Sequence, residues 1–276
     1  MNIVLCHIGD NIPNYLYTNL NQIEKFNSNI DTYIIINKRA YVDKIKDYNV
    51  EIIYVEDVDD NFKTSHNFWG FATKRLFLVE NIMRKNNLQN VLHIENDVLL
   101  YVDITTLTTL HKQNLAMTIC GDRIASAAFM WVRNYKYLKK LNDEIKKLIQ
   151  GNDIECSNNE MIIIKKIYDE NKEILNPLPI LPTDVFFEEY KTIFDPASWG
   201  QFVGGIPKNP SPKDKNIVKK LSKDHYIGIE LFKNKYDIIF RVVNGKRIPI
   251  LVNNKKEEFF IANLHIHSKQ LEKYIS

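Results

Sequence analysis

The chain has 276 residues, 45% of them hydrophobic, which is enough for one large domain with a sizeable core. Its 37 basic and 34 acidic residues leave a formal charge of +3, too balanced to mark a nucleic-acid-binding or membrane-adsorbing surface. Cys6, Cys120 and Cys156 form no CxxC and no disulfide framework, which points to a reducing compartment.

The N-terminal stretch MNIVLCHIGD reads as a strand over 2 to 8 rather than as a signal peptide. No stretch approaches the ~20 apolar residues of a membrane span, and the expected location is the cytoplasm. After Gly9-Asp10, the spacing of Leu16, Leu20, Ile23 and Phe26 predicts a helix opened by Pro13. Strands are expected at 31 to 37 and 50 to 55. A helix at 67 to 86 carries Ala72, Leu76, Val79 and Met83 on one face and feeds the strand of VLHIENDVLL. This alternation predicts an α/β fold with a mixed, mainly parallel sheet flanked by helices. Further strands are expected at 115 to 120 and 127 to 132, and helices at 135 to 149 and 158 to 172. The Pro- and Lys-rich stretch 207 to 224 reads as a flap, and Asn244-Gly245 as the I′ turn of a hairpin over 238 to 252. FFIANLHIH, 259 to 267, reads as one strand ending in histidines.

Glu95, Asn96 and Asp97 interrupt an apolar strand at the end where open parallel sheets bind ligands. Residues i and i+2 of a strand project to the same side, so Glu95 and Asp97 are expected to present two carboxylates together. Like charges so close need a cation or donors, and a hard divalent ion shared with substrate phosphates supplies that.

The order of elements, a helix bearing Lys74-Arg75, and then HIENDV resemble the glycosyltransferases of GT-A (Rossmann-like) fold. In that family a DxD-type motif binds a metal and a nucleotide-sugar diphosphate; here Glu95 stands where Asp is usual. NLHIHSK, 263 to 269, is similar to the C-terminal element that supplies a His ligand and a diphosphate-binding Lys, and FDPASWGQFVGG, 194 to 205, looks like a donor- or acceptor-site loop.

The resemblance implies a single GT-A catalytic domain over 1 to 276, with a nucleotide-binding half (1 to 120) and an acceptor half (121 to 276) that ends in a metal-binding strand. It implies Asp97, Glu95, His265 and His267 as metal ligands to Mn²⁺ or Mg²⁺, with His265 slightly preferred over His267. Cys6, His7, Gly9, Arg75, Glu95, Asn96, Gly204 and Lys269 are implied at the UDP-sugar. Asp195, Glu160 and Asp184 are the candidate catalytic carboxylates. The implied reaction is hexosyl transfer from a UDP-sugar, UDP-glucose first, with retention, to a glycan or glycosylated-protein acceptor. Together with the AT-rich style of composition, the pattern resembles small giant-virus and bacterial members, including those that glucosylate galactosyl-hydroxylysine of collagen-like proteins; the host cytoplasm is then the setting. Trp69, Trp131 and Trp199 are expected to rim the acceptor cleft. A homodimer is compatible with this reading; nucleic acid and a transmembrane segment are not expected.

Each motif has a plainer alternative. Glu95 and Asp97 suit a structural ion-pair network with Arg75, the histidines a half-exposed strand, and Lys74-Arg75 a solvated helix face. The glycines near 200 suit a turn, Asp195 the start of one, and Ser157 with Glu160 a capping box. Cys6 reads as core rather than nucleophile. A surface-polysaccharide or lipid-linked-sugar transferase and a non-catalytic nucleotide-sugar binding module are the functional alternatives. An aspartyl-phosphate phosphatase is disfavoured because its nucleophile falls at Glu95, and a dinucleotide oxidoreductase because HIGDNIPN lacks GxGxxG.

Overall fold

The computed structural model describes residues 1–59, 68–121, 124–151, 159–204 and 235–276. The first half runs β1 (Asn2–His7), α1 (Asn14–Asn27), β2 (Asp31–Ile36), α2 (Val42–Ile45), β3 (Glu51–Tyr54), α3 (Val55–Val58), α4 (Phe68–Lys85) and β4 (Gln89–Ile94). β1 is buried along its whole length, as a strand covered on both faces must be. Its residues alternate between two cores. Val4 and Cys6 pack with Leu76, Val79 and Met83 of α4, whereas Ile3 and Leu5 pack with Leu16, Leu20 and Ile23 of α1.

The second half adds β5 (Val98–Leu100), β6 (Leu115–Cys120), β7 (Ile124–Asn134), α5 (Tyr135–Gln150), α6 (Glu160–Glu170), β8 (Asn176–Leu178), α7 (Phe187–Tyr190), α8 (Ser198–Gly204), β9 (Tyr236–Val243), β10 (Lys246–Asn253), β11 (Glu258–Phe260) and β12 (Asn263–His265). The central sheet has the order β3-β2-β1-β4-β7-β6-β8. β3, β2, β1 and β4 are mutually parallel, β7 is antiparallel to both β4 and β6, and β8 is parallel to β6. This is the mixed, mainly parallel sheet flanked by helices that the sequence predicts. Helices α4, α5 and α6 cover one face and α1 the other.

The hairpin forms as β9 and β10 around Asn244 and Gly245, whose φ values of 51° and 74° suit a type I′ turn. Two expectations are corrected here. Residues 259 to 267 are two strands rather than one: β11 joins β10, while β12 turns away to pair with β5. Residues 194 to 205 are not simply a loop, because Ser198–Gly204 is the helix α8. A third core, with Trp199, Leu264, Ile266 and Leu271, fastens these C-terminal pieces together. The expected flap at 207 to 224, Gly205, Cys156 and Ser157 lie outside the described residues.

Candidate active site

β1 and β4 are neighbours whose C-terminal ends open on one side of the sheet, and a cleft of about 250 Å³ lies there. Cys6 and His7, Tyr15, Phe71 and Arg75, Glu95 to Asp97, Glu160 and Lys269 all face it. A larger groove of about 760 Å³ beside α5, with Lys140, Asp143, Glu144 and Lys147 in its wall, is remote from this chemistry. Convergent buried charge rather than volume marks the functional candidate.

The acidic residues do not continue the strand. β4 ends at Ile94, and 95 to 97 form a turn closed by Val98 N donating to Glu95 O at 3.1 Å. The predicted strand alternation is therefore not what aligns Glu95 and Asp97. They are gathered by β5, which pairs with β12 so that Val98 faces His265, and by Ile266 N donating to Asp97 O at 2.9 Å. His265 Nε2 then lies 3.4 Å from Glu95 Oε2 and 3.2 Å from Asp97 Oδ2. Candidate ligand atoms of Glu95, Asp97 and His265 all fall within 4.8 Å of one another.

Lys269 closes the cluster with its ammonium on Asp97 Oδ2. Its φ of 61° is unusual for a side-chain-bearing residue and turns the chain back just after β12. The neighbouring charges of His265 and Lys269 hold the Asp97 pKa well below the usual carboxylate range against the effect of burial, and Arg75 and His265 do the same for Glu95. Conversely, the two carboxylates overcome burial to raise the pKa of His265 to about 10.

His267 is not a member of the cluster. Its ring stands 4.4 Å from that of His265, its Nδ1 meets Gln201 Nε2 at 2.5 Å, and burial followed by the charge of His265 lowers its pKa to about 3. Of the two histidines it is His265 that faces the carboxylates.

Arg75 runs from α4 into the cleft, with Nη1 2.6 Å from Glu95 Oε1 and Nη2 3.9 Å from Glu160 Oε1. Arg75 Nε and Nη2 and Glu160 Oε2 are buried without hydrogen-bond partners among the described residues. Burial lifts the Glu160 pKa to about 7 despite the guanidinium. Asn159 caps the helix, accepting from Met161 N at 3.0 Å, and the Glu160 side chain lines the cleft; the capping-box alternative rests on Ser157, outside the described residues. Lys74 points elsewhere and pairs with Asp59.

Several of the expected ligand-binding residues also brace the site. Asn96 Nδ2 lies 3.1 Å from Cys6 O and 3.3 Å from His7 Nδ1, so it pins the acidic turn to β1. His7 Nε2 meets Asn11 O at 2.9 Å, and burial lowers its pKa. The Cys6 thiol is pushed by burial to about 12, which is the inert core behaviour expected of it. Gly9 is tied by its carbonyl, which accepts from Tyr41 at 2.8 Å. Gly204 packs against the C-terminal segment, where an added Cβ would meet Ile266 and Ser268 at 3.3 Å.

Two of the three candidate catalytic carboxylates have backbone duties. Asp195 is wholly buried and accepts four amides, from Ala197 at 3.0 Å and from Trp199, Gly200 and His265 at 2.8 Å each. It does not line the cleft between β1 and β4, and burial raises its pKa while those amides oppose the shift. Asp184 Oδ2 accepts from Ile180 N at 2.6 Å and Leu181 N at 2.9 Å, which makes it a turn cap. The aromatic rim is corrected too: Trp131 and Trp199 are buried and donate to Gln113 O and Ile180 O, while Trp69 is half-buried at the start of α4. The sequence reading missed Tyr15 and Phe71 in the cleft wall and Asn19, Gln201 and Asn263 behind it.

No protein-family model and no curated protein matches the chain. Among solved structures it is similar to an active-site mutant of LgtC, with 16% identity, 77% of this chain and 81% of that one covered, and a TM-score of 0.47. The PaToxG glycosyltransferase matches at 14% identity over 83% and 84% of the two chains, with a TM-score of 0.46. The glycosyltransferase GlyE of Streptococcus pneumoniae TIGR4 matches at 19% identity over 76% of this chain and 53% of its own, also at 0.46. At this level of identity and overlap the likenesses assign no role to any residue of the site. No helix among the described residues is long and apolar enough to cross a membrane.

Proposed function

We propose that the chain is a divalent-metal-dependent GT-A glycosyltransferase that moves a hexose from a UDP-sugar to a glycan-bearing acceptor. The observation that carries this reading is the convergence of Glu95, Asp97, His265 and Lys269 at the mouth between β1 and β4. Two carboxylates and one imidazole close together, Asp97 and His265 buried and Glu95 half-buried, suit Mn²⁺ and also accommodate Mg²⁺. Glu95, Asp97 and His265 are the residues that would hold the ion, which when bound supplies Lewis-acid stabilisation of a leaving diphosphate.

The protein's own groups account for the rest. Lys269 adds positive charge where the diphosphate leaves. The edges of Arg75 and Glu160 that lack partners among the described residues offer donors and an acceptor to sugar hydroxyls. Tyr15 and Phe71 give the cleft apolar walls. With Asp195 and Asp184 engaged by backbone amides, Glu160 is the one of the three named carboxylates left in the cleft. A retaining course asks least of it, because the departing phosphate itself takes the acceptor proton. UDP-glucose is the donor to test first, and galactosyl-hydroxylysine of a collagen-like protein the acceptor, the latter following from the resemblance of the overall pattern and AT-rich composition.

The test is Mn²⁺-dependent release of UDP from a panel of UDP-sugars, with and without galactosyl-hydroxylysine and simple sugars. Release selective for one donor is expected. Metal-dependent UDP binding with no release from any donor, whatever the acceptor, would instead mark a binding module.

A further inference from the structure

The turn that carries both carboxylates leaves the main sheet after β4, so the carbonyls between 95 and 102 are not all met by strand neighbours. Four of them are met by side-chain amides of one helix. Along α1, Asn19 Nδ2 lies 3.2 Å from Glu95 O and 3.1 Å from Asn96 O, Gln22 Nε2 lies 2.8 Å from Leu100 O, and Asn27 Nδ2 lies 3.1 Å from Val102 O. Three buried amides within the apolar face of an amphipathic helix are costly unless bonded; here each donates to a backbone carbonyl, while Asn19 Oδ1 has no partner among the described residues.

Asn19 differs from the other two in what it fixes. The carbonyls of Glu95 and Asn96 belong to the two successive peptide planes that lie between the Glu95 and Asp97 side chains. One amide group, wholly buried, therefore sets both planes from the α1 side, while Asn96 sets the turn from the β1 side. Gln22 and Asn27 hold the chain only beyond Asp97.

We propose that Asn19 is a positioning residue of the acidic cluster, fixing the separation and direction of the Glu95 and Asp97 carboxylates through the backbone that joins them. This rests on the metal reading given above. A residue acting at one remove from a ligand typically alters metal affinity by about 10- to 100-fold.

The test compares Asn19→Ala and Asn19→Ser with Gln22→Ala, which loses the same kind of buried bond on the same helix. Mn²⁺ binding is read from the free-ion electron paramagnetic resonance signal, alongside thermal melting of each full-length variant. The expected result is an Mn²⁺ affinity at least about 10-fold weaker in the folded Asn19 variants, and near-native affinity in Gln22→Ala despite a comparable drop in melting temperature. Unchanged affinity in a folded Asn19 variant, or equal weakening by Gln22→Ala, overturns the proposal. Asp97→Ala separates the two levels: if it binds Mn²⁺ as the native protein does, the metal reading falls and takes this inference with it. If Asp97→Ala loses the ion and the Asn19 variants keep it, only the inference falls.

Discussion

At the scale of single residues, the site is defined by which carboxylates are already engaged. Asp195 accepts four backbone amides, so Asp195→Asn replaces one acceptor oxygen with a donor that faces N–H groups. Stability should fall by roughly 1–3 kcal/mol, the usual range for an unsatisfied buried polar group, and denaturant unfolding reads it. A catalytic base would show the opposite pattern, with native stability and collapsed turnover. Glu160 makes a different prediction. Its pKa is raised by burial from 4.5 to about 7, so the folded state binds the extra proton and its contribution is complete below pH 4.5. That contribution is lost as pH rises through about 7. Glu160→Gln should therefore melt higher than the native protein at pH 8 and show little gain at pH 4.5; a loss at pH 8 would mean that attraction to Arg75 outweighs burial.

At the scale of elements, the outcome turns on how α8 meets β12. Gly200 lies so close to His265 that an added Cβ would sit 2.0 Å from its carbonyl oxygen, and Asp195 bonds the amides of both residues. Gly200→Ala must force α8 and β12 apart. It is expected to cost at least the ~1–3 kcal/mol of an overpacked core and, by displacing His265, to weaken Mn²⁺ binding in whatever folded protein remains. Native melting and native Mn²⁺ affinity would contradict that placement. The concentration of glycines near 200 was visible in the sequence; that the close neighbour is the chain's own histidine-bearing strand was not.

The same contrast holds elsewhere in the elements. β1, β2, β4 and α4 were legible because apolar runs and helical spacing extend over six or more residues. β5 and β12 have three residues each and take their register from one another, so no local pattern announces them. FFIANLHIH alternates well enough to look like one strand, yet Ile193 intervenes: its N donates to Phe260 O, and its O accepts from Ala262 N, at 2.9 Å each. Asn19 and Gln22 could have drawn notice as polar residues beside the apolar stripe of α1, although nothing local says which carbonyls they meet.

At the scale of the whole molecule, the candidate site joins the two ends of the chain. Glu95 and Asp97 come from the first half, His265 and Lys269 from the last dozen residues, and the β5–β12 pairing is the seam between them. Setting four mutually compensating charges at such a seam, with Asp97 and His265 buried and Glu95 and Lys269 partly open to solvent, is a weak source of stability. Its sense is readiness for a cation and a diphosphate, and ligands that bind only the folded state raise its stability by mass action. Mn²⁺ with UDP should accordingly raise the melting temperature more than either alone, and a chelator should reverse the gain.

The most direct measurement is calorimetric titration of UDP into the native protein and into Asp97→Ala, each with Mn²⁺ and with chelator. UDP binding that requires Mn²⁺ in the native protein and vanishes in a folded Asp97→Ala is the predicted result. Equal UDP affinity in all four titrations, or no binding even with Mn²⁺, would contradict a metal-dependent nucleotide-sugar site at this cleft.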